Sequence, residues 1–274
     1  MSGKTRRILP GFHLSLIYTL TYLTLLVLVP LGACFTKAAT LSVHEFWKAA
    51  WTPRAQAAYW VTFSCSGAAA IIDTVLGLLL AWVLVRYEFF GKRLLDSLID
   101  LPFALPTAVA GLVYSSLYVK TGWLGQFLIP LGIHGAYSQF AIVLVLSFVG
   151  LPFVVRTVEP VLESIDAEVE EAAACLGATR GQTFFRVILP TLYPALLTGF
   201  TLTYARAVGE YGSVVFVSAN KPFKTEIAPV LIVARLEEHA YAEATAIAVI
   251  LLVSSFLLLG MINFLERWSQ RHAA

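Results

Sequence analysis

The chain has 274 residues, of which 58% are apolar and only 13% are charged. Soluble domains carry about 25% charged residues, and the mean hydropathy of this chain is +0.78. This composition excludes a disordered chain, a nucleic-acid-binding arm and a small secreted disulfide scaffold. It also disfavours a soluble globular enzyme, whose water-facing surface would need many more charges.

Stretches with few or no charges predict where the chain crosses a membrane. A transmembrane helix needs about 20 predominantly apolar residues, and six stretches of roughly that length occur in the sequence. The sequence therefore predicts an all-α, polytopic membrane protein with six transmembrane helices, in which a first helix precedes a transmembrane domain at 58–265. The predicted spans are 12–35, 58–85, 99–119, 138–158, 191–218 and 243–265.

The first span has a second interpretation. A basic start, an apolar run and the sequence Leu31-Gly32-Ala33-Cys34 also resemble a lipoprotein signal with an acceptor cysteine. The apolar run is long for a signal, and the rest of the chain has the composition of a membrane protein. We therefore favour a transmembrane helix here.

Lys and Arg predict the orientation of the chain, because cytoplasmic loops carry an excess of them. If the spans alternate in direction, the basic cluster in segment 1–11 and the basic residues of loop 159–190 fall on the same side. We expect that side to be the cytoplasm. Both termini, 1–11 and 266–274, are then cytoplasmic.

Away from the ends of the predicted spans, three charged residues fall inside them: Asp73, Arg206 and Glu210. A charge at mid-bilayer costs about 2.5 to 3.5 kcal/mol on insertion scales, so such residues tend to face protein or water. Arg206 and Glu210 are four positions apart and share one helix face. These residues form either a structural ion pair or part of the path of a polar solute. Our hypothesis is that Arg206 faces a central cavity, with Asp73 or Glu210 as its partner.

Two predicted spans contain helix-breaking residues. Pro102 and Pro106 remove backbone donors from the third span, which we expect to be kinked or to have a bent entry. Gly209 and Gly212 flank Glu210 and Tyr211 in the fifth span. They allow either close packing or a loosened outer end of the helix.

Loop 159–190 is polar enough to leave the membrane, and its pattern predicts two short helices. Asp166 is a suitable N-cap for the first helix, and Gly177 is a suitable stop. Thr179 and Gln182 have capping-box spacing for a second helix, which we expect to end before Pro190. The first helix has one apolar face, formed by Val169, Ala172, Ala173 and Leu176.

This helical loop has two interpretations. It forms either an amphipathic segment on the inner leaflet or a docking surface for a soluble partner. The inner leaflet is negatively charged and favours Lys and Arg, whereas the first helix is rich in acidic residues. The acids therefore favour the docking surface.

The loop resembles the EAA loop of binding-protein-dependent ABC importer permeases, with Val187 in place of the usual isoleucine. The resemblance implies the type I ABC importer permease fold and a short helix that inserts into a groove of an ATPase subunit. We call loop 159–190 the coupling loop. The coupling residues that the resemblance implies are Glu171, Ala172, Ala173, Gly177, Leu189 and Pro190.

Segments 100–111, 152–158 and 209–212 narrow the resemblance to the sulfate/thiosulfate permease subunits of such importers. Molybdate permeases share part of these segments, so another oxyanion such as molybdate is the alternative substrate. A stand-alone secondary carrier or a polytopic membrane enzyme is the alternative class of protein, in which the intramembrane charges would form a proton relay or a catalytic set.

The sequence predicts a transport subunit rather than an enzyme. It lacks a phosphate-binding loop, since Gly3-Lys4-Thr5 has no upstream glycine, and its histidines and cysteines have no metal-ligand spacing. We therefore expect no catalytic residues, no metal and no cofactor on this chain, with ATP-Mg on partner subunits.

The resemblance also implies partners and a location. The expected partners are a second homologous permease subunit, two ATP-binding subunits and a periplasmic or extracellular sulfate/thiosulfate-binding protein. Membrane lipid is expected around the chain, and nucleic acid is not. The implied location is the bacterial cytoplasmic (inner) membrane.

Overall fold

The computed structural model describes residues 12–133 and 135–272, and every regular element in those ranges is helical. The basic cluster of segment 1–11 lies outside the described residues. The α-helices are α1 (Phe12–Leu23), α2 (Val29–Ala38), α3 (Val43–Ala50), α4 (Pro53–Arg86), α5 (Lys92–Ile99), α6 (Leu101–Ala104), α7 (Thr107–Tyr118), α8 (Gly125–Leu128), α9 (Gln139–Glu163), α10 (Ala167–Cys175), α11 (Arg180–Thr183), α12 (Leu189–Val208), α13 (Val214–Val217), α14 (Ala228–Glu237) and α15 (Tyr241–His272).

Five helices of the described ranges are long and apolar enough to cross a membrane. Four of them correspond to the predicted second, fourth, fifth and sixth spans, and the first runs through Cys34 without a break, as a transmembrane helix would. The sixth continues as α15 into the predicted C-terminal segment 266–274. The five helices are Leu14–Ala38, Pro53–Arg86, Gln139–Glu163, Arg180–Val208 and Tyr241–Ile262.

The predicted third span, 99–119, is not one continuous helix, and this is where the structure departs from six uniform spans. The segment is divided among α5, α6 and α7. Leu105 has extended backbone (φ −83°, ψ 133°) because the ring of Pro106 disfavours helical geometry in the preceding residue. The expected kink at the prolines is therefore a complete interruption.

Helices α4, α9 and α12 pack against one another at the centre of the protein. Small residues allow their backbones to approach closely, as is usual between membrane helices. A Cβ atom added at Gly77 of α4 would lie 2.6 Å from Val154 Cγ1 of α9. One added at Gly199 of α12 would lie 2.9 Å from Val154 Cα. Val154 thus occupies a site bounded by the glycines of both neighbours.

Two of the prolines that lie within continuous helices each follow a π-helical segment. Thr24–Leu28 precedes Pro30, and Phe184–Ile188 precedes Pro190. A proline in a helix lacks a donor and clashes with the carbonyl four residues before it, and a wider π turn removes that conflict. Our expectation that the second coupling-loop helix ends before Pro190 is wrong, because the helix continues from Arg180 to Val208.

Candidate functional site

The first residues of the coupling loop, 159–163, still belong to α9, which ends at Glu163, and the first separate helix of the loop is α10. Asp166 occupies the predicted N-cap position with extended backbone (φ −63°, ψ 138°), although its side chain makes no capping hydrogen bond. Gly177 has the predicted role of a stop, with φ +82°. The capping box predicted for the second helix is also present. The backbone N–H of Thr179 donates to Gln182 Oε1 at 2.8 Å.

The apolar face of α10 is open in this chain. Leu176 is 89% exposed, and Val169 and Ala172 are also exposed. The neighbouring Glu171 is exposed as well. None of the residues of α10 is buried. An apolar stripe that its own chain leaves uncovered is the feature expected of a surface that a partner covers.

An ion pair joins α10 to the C-terminal end of α4. Arg86 Nη2 lies 2.5 Å from Glu170 Oε1. The guanidinium also lies over the ring of Trp82, 5.5 Å from its centroid, and Trp82 meets Phe184 edge to face at 5.4 Å between centroids. Sequence reasoning missed this contact, because Arg86 and Glu170 are 84 positions apart and carry no shared local pattern.

The two charges of the fifth span pair with each other. Arg206 Nη1 lies 2.5 Å from Glu210 Oε2, and the side chains are 36% and 2% exposed respectively. Glu210 Oε1 accepts hydrogen bonds from the backbone N–H and the hydroxyl of Ser213, at 2.9 and 3.0 Å. The carboxylate is therefore buried and hydrogen-bonded, whereas about a third of the Arg206 side chain is exposed.

Of the two alternatives for Gly209 and Gly212, the loosened helix is present, since α12 ends at Val208 and the chain becomes helical again at Val214. Helix α7 supports this interruption. A Cβ atom added at Gly111 would lie 2.2 Å from the carbonyl oxygen of Ser213, so only glycine fits there. The Ser115 hydroxyl donates to the carbonyl oxygen of Phe216 at 2.6 Å.

Asp73 lies apart from the Arg206–Glu210 pair. It is fully buried on α4, and neither carboxylate oxygen has a hydrogen-bond partner of normal geometry among the described residues. A Cβ atom added at Gly150 of α9 would lie 2.5 Å from Asp73 Oδ2. The described residues include no ion pair between Asp73 and Arg206, so the three intramembrane charges do not form one cluster.

A charge cluster where the C-terminal end of α5 meets α9 was not among the predicted sites. Arg156 of α9 contacts Asp96 at 2.7 Å, Asp100 at 2.6 Å and Glu159 at 2.7 Å. This cluster borders a polar cleft of about 850 Å³. Arg156 thereby fixes the short helix α5 to the central bundle.

The opposite face holds a second long-range ion pair. Arg54 donates to Glu226 through Nε (2.8 Å) and Nη2 (2.7 Å), and the carboxylate is 2% exposed. This bidentate pair ties the start of α4 to the segment before α14. Among the described residues, no group of His, Cys, Asp or Glu side chains has the arrangement of a metal site.

Comparisons with known proteins place these features in a family. The pattern of the family "Binding-protein-dependent transport system inner membrane component" matches residues 73–271. The chain is 50% identical to the "Sulfate transport system permease protein CysT" of Synechocystis sp. over 94% of this chain and 90% of that one. It is 47% identical to the protein of the same name from Escherichia coli, over 96% of this chain and 95% of that one.

Solved structures share the fold. A bacterial alginate ABC transporter, solved in complex with an alginate pentasaccharide-bound periplasmic protein, matches with a TM-score of 0.76 at 18% identity. That match covers 93% of each chain. The MetNI methionine ABC transporter in an inward-facing conformation matches with a TM-score of 0.56 at 20% identity, over 78% of this chain and 94% of that one. The expected type I ABC importer permease fold is confirmed.

Proposed function

The chain belongs to the family of binding-protein-dependent transport system inner membrane components, and from this premise we propose that it is the permease subunit of an ATP-driven importer of sulfate. The observation that supports this substrate is the identity of 47 to 50% with sulfate permeases over at least nine tenths of both chains. Thiosulfate, which differs from sulfate in one atom, is proposed as a second substrate.

The coupling loop is the proposed contact with the ATPase subunits. The exposed stripe of α10 offers Leu176 as an apolar anchor, and Ala172 and Ala173 permit close approach. Gly177 turns the chain toward α11 with φ +82°. Leu189 and Pro190 follow the π segment and carry the loop directly into α12. ATP-Mg would bind the partner subunits, and this chain would have no catalytic site of its own.

The coupling loop also fixes the proposed orientation. ATPase subunits of an importer are cytoplasmic, so α10 faces the cytoplasm and both termini lie on that side. The Arg54–Glu226 pair is then on the outer face, where a sulfate-binding protein would deliver its ligand. The alginate transporter solved with a periplasmic protein supports such a delivery partner.

The side chain of Arg206, which is partly exposed, is the proposed group that attracts the anion along its path through the membrane. Its partner Glu210 holds it in place but is itself shielded from solvent. Asp73 is then assigned to helix packing, since it is fully buried among α4 and α9. The complete importer would contain this chain, a second homologous permease subunit, two ATP-binding subunits and the binding protein.

Labelled sulfate uptake tests the proposal. Cells that lack this chain and every other sulfate uptake system should take up sulfate only after the chain and its partner subunits are restored. Restored uptake of molybdate without sulfate would favour the alternative oxyanion. Uptake by this chain without any ATP-binding subunit would contradict the importer and indicate a stand-alone carrier.

A further inference from the structure

Helix α10 is attached to the membrane-spanning helices in two ways, through its neighbours in the chain and through an ion pair to a helix that is distant in sequence. Its covalent neighbours are α9 and α11, and it has no buried residue of its own. Helix α4 is distant in sequence, yet the Arg86–Glu170 pair brings its cytoplasmic end to α10. Among the described residues, this is the ion pair that joins α10 to a membrane-spanning helix.

We propose that Arg86 is a positioning residue that transmits the movement of α10 to two membrane helices, α4 directly and α12 through Trp82 and Phe184. The proposal rests on the proposed function, because it takes α10 to be the element that the ATPase subunits move. We call these four side chains, Glu170, Arg86, Trp82 and Phe184, the cytoplasmic relay.

The environment of the ion pair makes it suited to this role. The side chains of Arg86 and Glu170 are 23% and 34% exposed, whereas Glu88 of the nearby Lys92–Glu88 pair is 88% exposed. A partly buried pair is screened less by salt than an exposed pair. Of these two pairs, the one between α10 and α4 is therefore the stronger.

Arginine is the side chain that completes the relay. Its planar guanidinium pairs with a carboxylate and stacks on an aromatic ring at the same time. Arg86 does both, with Glu170 on one side and Trp82 on the other. Trp82 then contacts Phe184, which lies in the π segment at the base of α12. A displacement of Glu170 is thus passed to the ends of two central helices.

The experiment uses the complete complex of this chain with its partner subunits in proteoliposomes, and measures sulfate taken up per ATP hydrolysed. Arg86→Gln should lower this ratio at least about fivefold, the lower end of typical coupling between sites. Arg86→Lys keeps the charge but loses the planar group that stacks on Trp82, so its ratio should fall between that of Arg86→Gln and that of the wild type. Lys92→Gln, the control that breaks the exposed pair, should leave it unchanged.

Two outcomes would overturn the relay. One is an unchanged ratio in Arg86→Gln. The other is loss of the ATPase subunits from purified Arg86→Gln complex, because Arg86 would then serve docking.

The contact between Trp82 and Phe184 has its own test. Trp82→Leu should lower the ratio, whereas Trp82→Phe should retain it.

A second readout needs no substrate and separates the relay from the sulfate assignment. Nitroxide labels are placed on native Cys175, which is exposed at the end of α10, and on Tyr87→Cys, with Cys34 and Cys65 replaced by alanine. The relay predicts that the distance between the labels stays constant between the nucleotide-free and ATP-bound complexes, and changes once Arg86→Gln is added. A distance that changes equally with and without Arg86→Gln would overturn the relay. If the wild-type complex keeps the distance constant but takes up no sulfate, only the assignment of sulfate as the substrate would be contradicted.

Discussion

Arg206 and Glu210 form an ion pair across the end of α12, with the nitrogen and oxygen 2.5 Å apart, and only the carboxylate is buried. The remaining oxygen of Glu210 accepts two hydrogen bonds from Ser213, the N-cap residue of α13. The carboxylate of Glu210 thus balances the charge of Arg206 and also links the end of α12 to the start of α13, across the interruption at Gly209.

Removing the carboxylate charge should destabilise the protein. Glu210→Gln leaves the Arg206 cation unbalanced beside buried groups, and we expect a loss of about 2 kcal/mol, below the range for fully buried pairs because Arg206 is partly exposed. Thermal unfolding in detergent measures the loss. The double variant Arg206→Gln, Glu210→Gln should recover part of it. A double variant less stable than Glu210→Gln alone would contradict this account.

The role of Arg206 in anion passage predicts a charge-dependent loss of uptake. Arg206→Gln should lower sulfate uptake by about tenfold or more, since a cation focuses anions at the mouth of a cleft. Arg206→Lys should keep most of the activity. Arg235→Gln breaks an ion pair at the end of α14 and is the matched control, with uptake near wild type. Equal losses in Arg206→Lys and Arg206→Gln would mean that geometry, and not charge, matters.

The coupling loop predicts a specific assembly defect. Glu171→Lys reverses a charge on the exposed surface of α10, so the ATPase subunits should co-purify in much lower yield while the chain still inserts into the membrane. Glu237→Lys introduces the same change at the exposed end of α14 and should assemble normally. Normal assembly of Glu171→Lys would remove Glu171 from the docking surface.

The close contact at Gly77 predicts a packing defect. In Gly77→Ala the new methyl group would lie 2.6 Å from Val154 Cγ1, and overpacking of this kind costs about 1–3 kcal/mol. Gly181→Ala is the matched control, because no heavy atom lies within 4 Å of its added Cβ. Adding Val154→Ala to Gly77→Ala should restore part of the stability measured by thermal unfolding.

Local signals in the sequence account for most of the fold. Apolar runs of about 20 residues define spans without reference to any other part of the chain. Capping residues are equally local, and the Thr179–Gln182 box follows from a spacing of three. Pro106 likewise breaks the third span through its effect on Leu105.

Contacts between distant segments account for what the sequence did not predict. Arg54 and Glu226 are separated by 172 positions, and Arg86 and Glu170 by 84. No periodicity links such residues. The continuous helix through Pro190 was missed for a different reason: proline normally ends a helix, and the π segment that accommodates it has no recognised sequence signal here.

The unbroken helix from Arg180 to Val208 has a mechanical consequence. It contains 29 residues, and at 1.5 Å per residue the distance from Arg180 to Arg206 is about 40 Å. The coupling loop and Arg206 therefore lie at opposite ends of one helix. Between them, near Gly199, this helix contacts Val154 of α9. If the helix tilts as a rigid rod about this contact, a small movement at the coupling loop moves Arg206 in the opposite direction. A movement of the coupling loop caused by nucleotide binding would then change the position of the positive charge.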